Sequence, residues 1–313
     1  YMGDAKFFKA CRDYMAAHAY GNATSQQMRD VFTSSSGIDM SDFFTDWVFT
    51  PGFPHFSIDS VPVKPVGNKY EAVVHTRQRS KGNSHTYKMP VECRFTDGVH
   101  DTSIVLNINA PTNTYTCLLS FNPLWTSLDR AGKISDAVTD FEMELNSTGT
   151  KVFTETNMTM NVVNAGSGNS TVRVEHNWVA PDAVQNDTNF TVSDYHYWKI
   201  DGLFSQGFNA EATFTYNGSA SATNGYIDNT FITEENTLAI AYRKGPGSAW
   251  ILLPEQTLNI GSPNDKAGTI KVKEIKHGEY ALAKRRHVNG VKNVQGEKAK
   301  RTLKISPNPV KQQ

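Results

Sequence analysis

Hydrophobic positions recur with two different periods along this chain, and the change falls at Trp47-Val48-Phe49-Thr50-Pro51-Gly52-Phe53-Pro54. Before that junction the spacing is helical. Phe7, Cys11, Tyr14 and His18 fall at i, i+4, i+7 and i+11, with Phe8 and Met15 widening the stripe. This predicts an amphipathic helix ended near Gly21. Thr24 followed by Gln27 has capping-box spacing and predicts a second helix from Ser25 to about Ser35, closed by Gly37. Met40, Phe43, Phe44 and Trp47 mark a third. Pro51 stops it, because its ring disfavours the helical region for Thr50 and it has no N–H to donate. Three such short helices bury too little surface to stand alone, so they should pack on the β part or on a larger helical domain upstream.

After His55 the period is two. Phe56 and Ile58 alternate with polar neighbours, as do Met89, Val91, Cys93 and Phe95, then Ile104, Leu106 and Ile108, then Tyr115, Cys117, Leu119 and Phe121. Strands with one apolar face, separated by polar turns, predict a small antiparallel β-sandwich over 51–138. Pro90 places its strand at an edge or a bulge. From 139 to 283 alternation resumes in Asn- and Thr-rich sequence, with further strands at 212–216, 237–242, 251–253 and 269–275. That region reads as a second, immunoglobulin-like sandwich. Residues 284–313 lose the pattern and read as a linker. The expected fold class is therefore mainly β: a short helical N-terminal piece (1–50), two antiparallel β-sandwich domains, and a flexible tail.

Composition narrows the function classes. Lys plus Arg equals Asp plus Glu at 31 each, so the chain as a whole makes no case for a polyanionic partner. Between Lys271 and Lys311 there are 12 Lys/Arg against 3 Glu. No aromatic residue follows Tyr280, so this tail reads as a solvated linker, with no nucleic-acid partner. No run approaches the ~20 apolar residues of a membrane span, and no transmembrane segment is expected. The opening Tyr1-Met2-Gly3-Asp4 resembles the approach to a helix and suggests a fragment. Three cysteines make no disulfide framework. Cys93 and Cys117 both fall on apolar strand faces, and two buried thiols or a cross-strand disulfide stay equally open. Seven Asn-x-Ser/Thr triplets, the first at Asn22, follow from the Asn- and Thr-rich composition, with glycosylation as the alternative.

Candidate chemistry is sparse. His75 and His85 flank a Gly82-Asn83 turn and could meet across a hairpin, with Glu71 or Glu92 completing a metal site. Exposed hairpin histidines without that role are much commoner. Trp178, Tyr195, Tyr197 and Trp198 form a candidate patch for stacking sugars or peptides, with core packing as the other use. Asp140 and Glu142 share one side of a strand and read as a solvated face. No G-x-S-x-G, P-loop or G-x-G-x-x-G occurs. The reading assigns no catalytic and no metal-ligating residue.

One resemblance gives these pieces a context. Phe7-Phe8-Lys9-Ala10-Cys11-Arg12-Asp13-Tyr14, His18-Ala19-Tyr20-Gly21-Asn22-Ala23-Thr24, Phe32, Ser36-Gly37, Phe43, Trp47 and Pro51-Gly52-Phe53-Pro54 follow one another in order. In this arrangement residues 3–61 resemble the end of the catalytic domain in the gluzincin aminopeptidases, the aminopeptidase N family. The resemblance implies a small β-sandwich over 55 to about 136, and a parent that removes N-terminal residues from peptides with a zinc ion. The family's zinc motif, H-E-x-x-H, starts at none of the nine histidines here and belongs upstream of the matched region. Zinc is thus expected in the parent and not on this chain, which should be catalytically silent alone. The implied partners are the missing upstream catalytic domain and, for the parent, a peptide substrate. A second β domain in place of a helical solenoid is a departure from the longer members. Residues 303–310, with Ser306-Pro307-Asn308-Pro309 after an apolar pair, resemble the opening of a type IX secretion sorting domain, implying an exported bacterial protein, secreted or attached to the cell surface. The alternative function is a noncatalytic secreted β-sandwich module that binds carbohydrate or protein.

Overall fold

The structure is a computed structural model that describes residues 1–185, 187, 189–219, 227–262 and 264–286. The predicted linker beyond 286 and the Ser-Pro-Asn-Pro motif lie outside the described residues. The chain is mainly β, with short helices at its N-terminus and antiparallel sheets after them.

Helix α1 (Asp4–Ala17) and helix α2 (Ser25–Ser36) pack together through Ala10 and Phe32. The capping box forms: Gln27 N–H donates to Thr24 Oγ1 at 3.2 Å, and Thr24 N–H to Gln27 Oε1 at 2.8 Å. Gly37 closes α2 at φ 69°, in the left-handed region that glycine enters without a Cβ clash. The third helical segment is short. Helix α3 (Ser41–Phe44) passes into a π turn over Thr45–Phe49 before Pro51. Within the predicted stripe of α1, Cys11 and Tyr14 pack on the cluster of Ala10 and Phe32, and the Phe7 ring meets Phe32 edge-on. Ala10 is the buried residue of the helix, whereas Phe7, Phe8 and Met15 are 44%, 57% and 70% exposed.

The first sandwich pairs two sheets. Its first sheet is built on the long strand β3 (Lys69–Lys81), flanked by β1 (Phe53–Ser60), β2 (Val63–Val66) and β6 (Thr112–Leu119). The second has the order β5 (Asp101–Ile108), β4 (Met89–Thr96), β7 (Trp125–Leu128). Val74, Val91, Phe95, Ile108 and Leu119 fill the space between. Pro90 sits in the central strand and not at an edge of the sheet. It pairs only with β5, because β7 joins β4 from Cys93 onward, so no neighbour needs the N–H that proline lacks. Cys93 and Cys117 are both free thiols in this core, and burial pushes the Cys93 thiol up to about 12.

The second sandwich is larger. One sheet has the order β17 (Gln256–Ile260), β18 (Ala267–Val272), β14 (Asn209–Asn217), β10 (Met158–Asn164), β9 (Gly149–Phe153). The other runs β16 (Ile251–Leu252), β15 (Leu238–Arg243), β19 (Gly278–Arg285), β13 (Tyr197–Leu203), β11 (Ser170–Asn177), β8 (Val138–Leu145), with β12 (Phe190–Val192) also on β19. Trp198, Ile200, Phe214, Ile240, Tyr280 and Leu282 meet in the core between them. Strand β19 continues to Arg285, two residues past the predicted boundary, because β12 pairs with its last turn-ward residues.

Gly202 marks the closest backbone approach inside this sandwich. It opposes Val172 in the β11–β13 pairing at φ 142°, and a Cβ there would lie 2.0 Å from Thr171 O. Gly202→Ala should destabilise the chain by about 3 kcal/mol, through overpacking plus backbone strain. Urea unfolding followed by tryptophan fluorescence checks this.

Candidate functional site at the junction of the sandwiches

Strand alternation gives the larger sheet of the second sandwich two unlike faces. Val172, Val174, Trp198 and Ile200 point into the core, and their neighbours Arg173, Glu175, Lys199 and Asp201 point out of it. The outward face nonetheless lies buried: Arg173, Arg243 and Glu279 are only 3%, 2% and 4% exposed. It is covered by the first sandwich and by the segment that follows β11.

Asp182, in that segment, organises the contact. Arg77 on β3 donates through Nη1 to Asp182 Oδ1 at 2.7 Å, and Arg79 on the same strand through Nη2 at 3.0 Å. Arg243 on β15 approaches Asp182 Oδ2 at 2.9 Å. Arg243 also pairs with Glu279 on β19, and Arg77 with Asp59 on β1 at 2.9 Å. Trp250 donates from Nε1 to Asp182 O at 2.8 Å, and its ring lies 4.7 Å from the Arg243 guanidinium. Burial disfavours the Asp182 carboxylate, but the hydrogen bonds from Arg77 and Arg243 outweigh it and hold the carboxyl well below the usual range. Three further bonds run beside this hub. Arg79 Nη1 donates to Tyr197 OH at 3.2 Å, His55 Nε2 to Asn177 Oδ1 at 2.8 Å, and Ala137 N to Pro54 O at 2.7 Å. Burial lowers His55 to about 3, so it stays neutral.

Next to the hub the two sandwiches leave an open cleft of about 250 Å³. Val61, Leu124 and Trp125 supply its apolar wall from the first sandwich, and Lys199, Asp201 and His277 its polar side from the second. His277 Nδ1 lies 3.0 Å from Asp201 Oδ1, with its ring stacked on Phe204.

A separate relay lies within the second sandwich. Asp228 Oδ1 accepts from His196 Nε2 at 2.8 Å, and His196 Nδ1 lies 2.7 Å from His176 Nε2. All three residues are at most 1% exposed, and burial lowers His176 far below the ordinary histidine range. Two imidazoles and a carboxylate thus share two short contacts away from solvent. Asp228 Oδ2 also accepts from Asn217 N at 2.9 Å. Among the described residues no nucleophile is bonded to this chain of groups, which holds the end of β14 against β13.

The residues singled out by sequence take separate places. Trp198 is fully buried in the core, stacked on His176 at 4.8 Å, and Trp178 covers the other side of that imidazole at 3.9 Å. Tyr197 is 2% exposed on the opposite face of β13, bonded to Arg79, while Tyr195 is 38% exposed and bonds Thr230. Adjacent strand residues point to opposite faces, so these four rings do not line one surface. His75 and His85 do not converge. His75 Nδ1 lies 3.1 Å from Thr114 Oγ1, while His85 Nε2 donates to Asp46 Oδ1 at 2.7 Å. Glu71 and Glu92 are paired with Lys64 and Lys133. The Asp46 contact is structural: this 4% exposed carboxylate also accepts from Lys88 N at 2.7 Å and fastens the π turn to the first sandwich. Among the described residues, no group of three or more His, Cys, Asp or Glu side chains is placed to hold a metal ion. Nor is any helix there long and apolar enough to cross a membrane. Asp140 and Glu142, expected on a solvated face, belong to the junction, pairing with Arg173 at 3.1 Å and Arg130 at 2.7 Å.

Asp182→Asn keeps the shape but weakens the acceptor for three cations, and should cost about 2–3 kcal/mol at pH 7. The sign with pH follows from the lowered carboxyl. Its contribution is complete above the unfolded value of 3.8 and is lost as pH falls below that value. Urea unfolding at pH 7, 4 and 3 should show the difference between the two proteins shrinking at the lowest pH.

No family model matches the chain. A stretch of 61 residues is 31% identical to aminopeptidase N from Lactococcus lactis subsp. lactis, which is 20% of this chain and 7% of that protein. The chain thus spans a small part of the length of the relative it matches, and the similarity links that part to a peptidase.

Proposed function

We propose that this chain is the C-terminal portion of an exported zinc aminopeptidase, in which it serves as structural support for a catalytic domain supplied upstream. The observation that carries the reading is the 61-residue similarity to aminopeptidase N. The helical piece adds support. Phe8 and Met15 present apolar surface on α1, 57% and 70% exposed, as a helix does when a further domain covers it. Asp46, His85 and Lys88 would transmit that docking to the first sandwich.

Among the described residues, no cluster of His, Cys, Asp or Glu is placed to form a zinc site. The two histidines closest to one in sequence, His75 and His85, are engaged with Thr114 and Asp46. In this reading zinc, the water it activates and the peptide substrate belong to the upstream domain, and no chemical step is assigned to the described residues. The chain's part is to orient. The alternative, a secreted module binding carbohydrate or protein, is favoured by one feature, the 250 Å³ cleft with its Trp125 wall.

Purified alone, the chain should neither hydrolyse aminoacyl p-nitroanilides nor retain stoichiometric zinc by atomic absorption. Turnover with one zinc per chain would overturn the support role. In the longer protein, Phe8→Ser should lower peptidase thermal stability, while shifting the isolated chain by no more than about 0.5 kcal/mol. A full effect in the isolated chain would show that α1 docks internally instead.

A further inference from the structure

Between the first sandwich and strands β8 and β11 lies a second, smaller cavity of about 50 Å³. Phe56, Val91 and Leu128 close it from the first sandwich, and Asp136, in the connection leading into β8, faces it together with Asp140 and Arg173. Arg173 is 3% exposed, and its Nη1 has no hydrogen-bond partner among the described residues. A buried guanidinium N–H without an acceptor is costly, and the cavity has room for about one or two water molecules. Water is the occupant that satisfies Arg173 here without adding charge.

The charges around the cavity do not balance. Asp129, Asp136, Asp140 and Glu175 face it. Two cations oppose them: Arg173, 3.1 Å from Asp140 Oδ2 and 3.3 Å from Glu175 Oε1, and Lys199 on β13, 4.0 Å from Glu175 Oε2. Asp129 is engaged with the backbone N–H groups of Lys133 and Ile134. Strand β1 lines it with Phe56, its Asp59 being paired with Arg77, and on β4 Glu92 is paired with Lys133 and Arg94 with Asp101. Among the described residues, Asp136 has one side-chain bond, from Val138 N at 3.2 Å, and no cation pairs with it. A carboxyl so placed keeps its proton, since a fourth negative charge would lack a counterion.

We propose that this hydrated cavity is a proton-linked joint, which locks the two sandwiches together while Asp136 is protonated and loosens when that proton leaves. Burial first, then the neighbouring carboxylates, raise Asp136 to about 8, while Asp140 rises to about 6. An acid whose folded value is raised binds more protons folded than unfolded. Its contribution is thus complete below the unfolded value of 3.8 and declines as pH rises towards about 8.

Thermal unfolding of the 313-residue chain at pH 6 and pH 9, beside Asp136→Asn, tests the joint. The unsubstituted midpoint should fall by about 3–6 °C over that range, and the Asn variant should lose at least half of the fall. Equal falls in both proteins would overturn the proposal. Should the variant fail to fold, amide exchange of the unsubstituted chain decides. Corrected for intrinsic pH dependence, residues 129–138 should exchange several-fold faster at pH 9 than at pH 6 relative to β14. An unchanged ratio would contradict it.

Discussion

Three guanidinium groups, from Arg77, Arg79 and Arg243, converge on the Asp182 carboxylate, and the arrangement of the two sandwiches depends on it. Without that carboxylate β3 and β15 would set like charges against one another in a partly buried interface. With it, and with Glu279 and Asp59 taking the remaining donors, the charges are matched and desolvation is offset. Two sandwiches that each close their own apolar core are thereby joined through a polar seam. The seam holds a balanced hub at Asp182, an open cleft beside it, and an acid-rich cavity near the connection between the sandwiches.

The helical piece uses the same logic on a smaller scale. Asp46 is buried where the π turn meets the first sandwich and is satisfied by His85 and the Lys88 amide. The chain therefore runs from an exposed aromatic helix surface, through a hydrogen-bonded carboxylate, into a sandwich that is itself tied to a second.

Much of the fold was legible in the sequence because its signals are local. Thr24 and Gln27 announced the cap of α2, Pro51 the end of the helices, and the period of two both sandwich cores. The seam was not legible. Arg173, Glu175, Arg243 and Glu279 alternate with core residues just as a solvated face does, and burial of that face depends on partners far away in sequence. Arg77 and Asp182, 105 positions apart, carry no pattern that links them. The four aromatics Trp178, Tyr195, Tyr197 and Trp198 failed as a shared surface for a reason that alternation does contain, since Tyr197 and Trp198 must face opposite ways. For the stripe on α1 the period was right for Cys11 and Tyr14, which pack against α2, but periodicity did not distinguish them from Phe8 and Met15, which stay exposed.

The polar seam makes one mechanical unit of two separately cored sandwiches. Differential scanning calorimetry of the unsubstituted chain at pH 6 tests it most directly. A single transition whose calorimetric and van't Hoff enthalpies agree is the predicted result. Two resolved transitions, one for each sandwich, would contradict it.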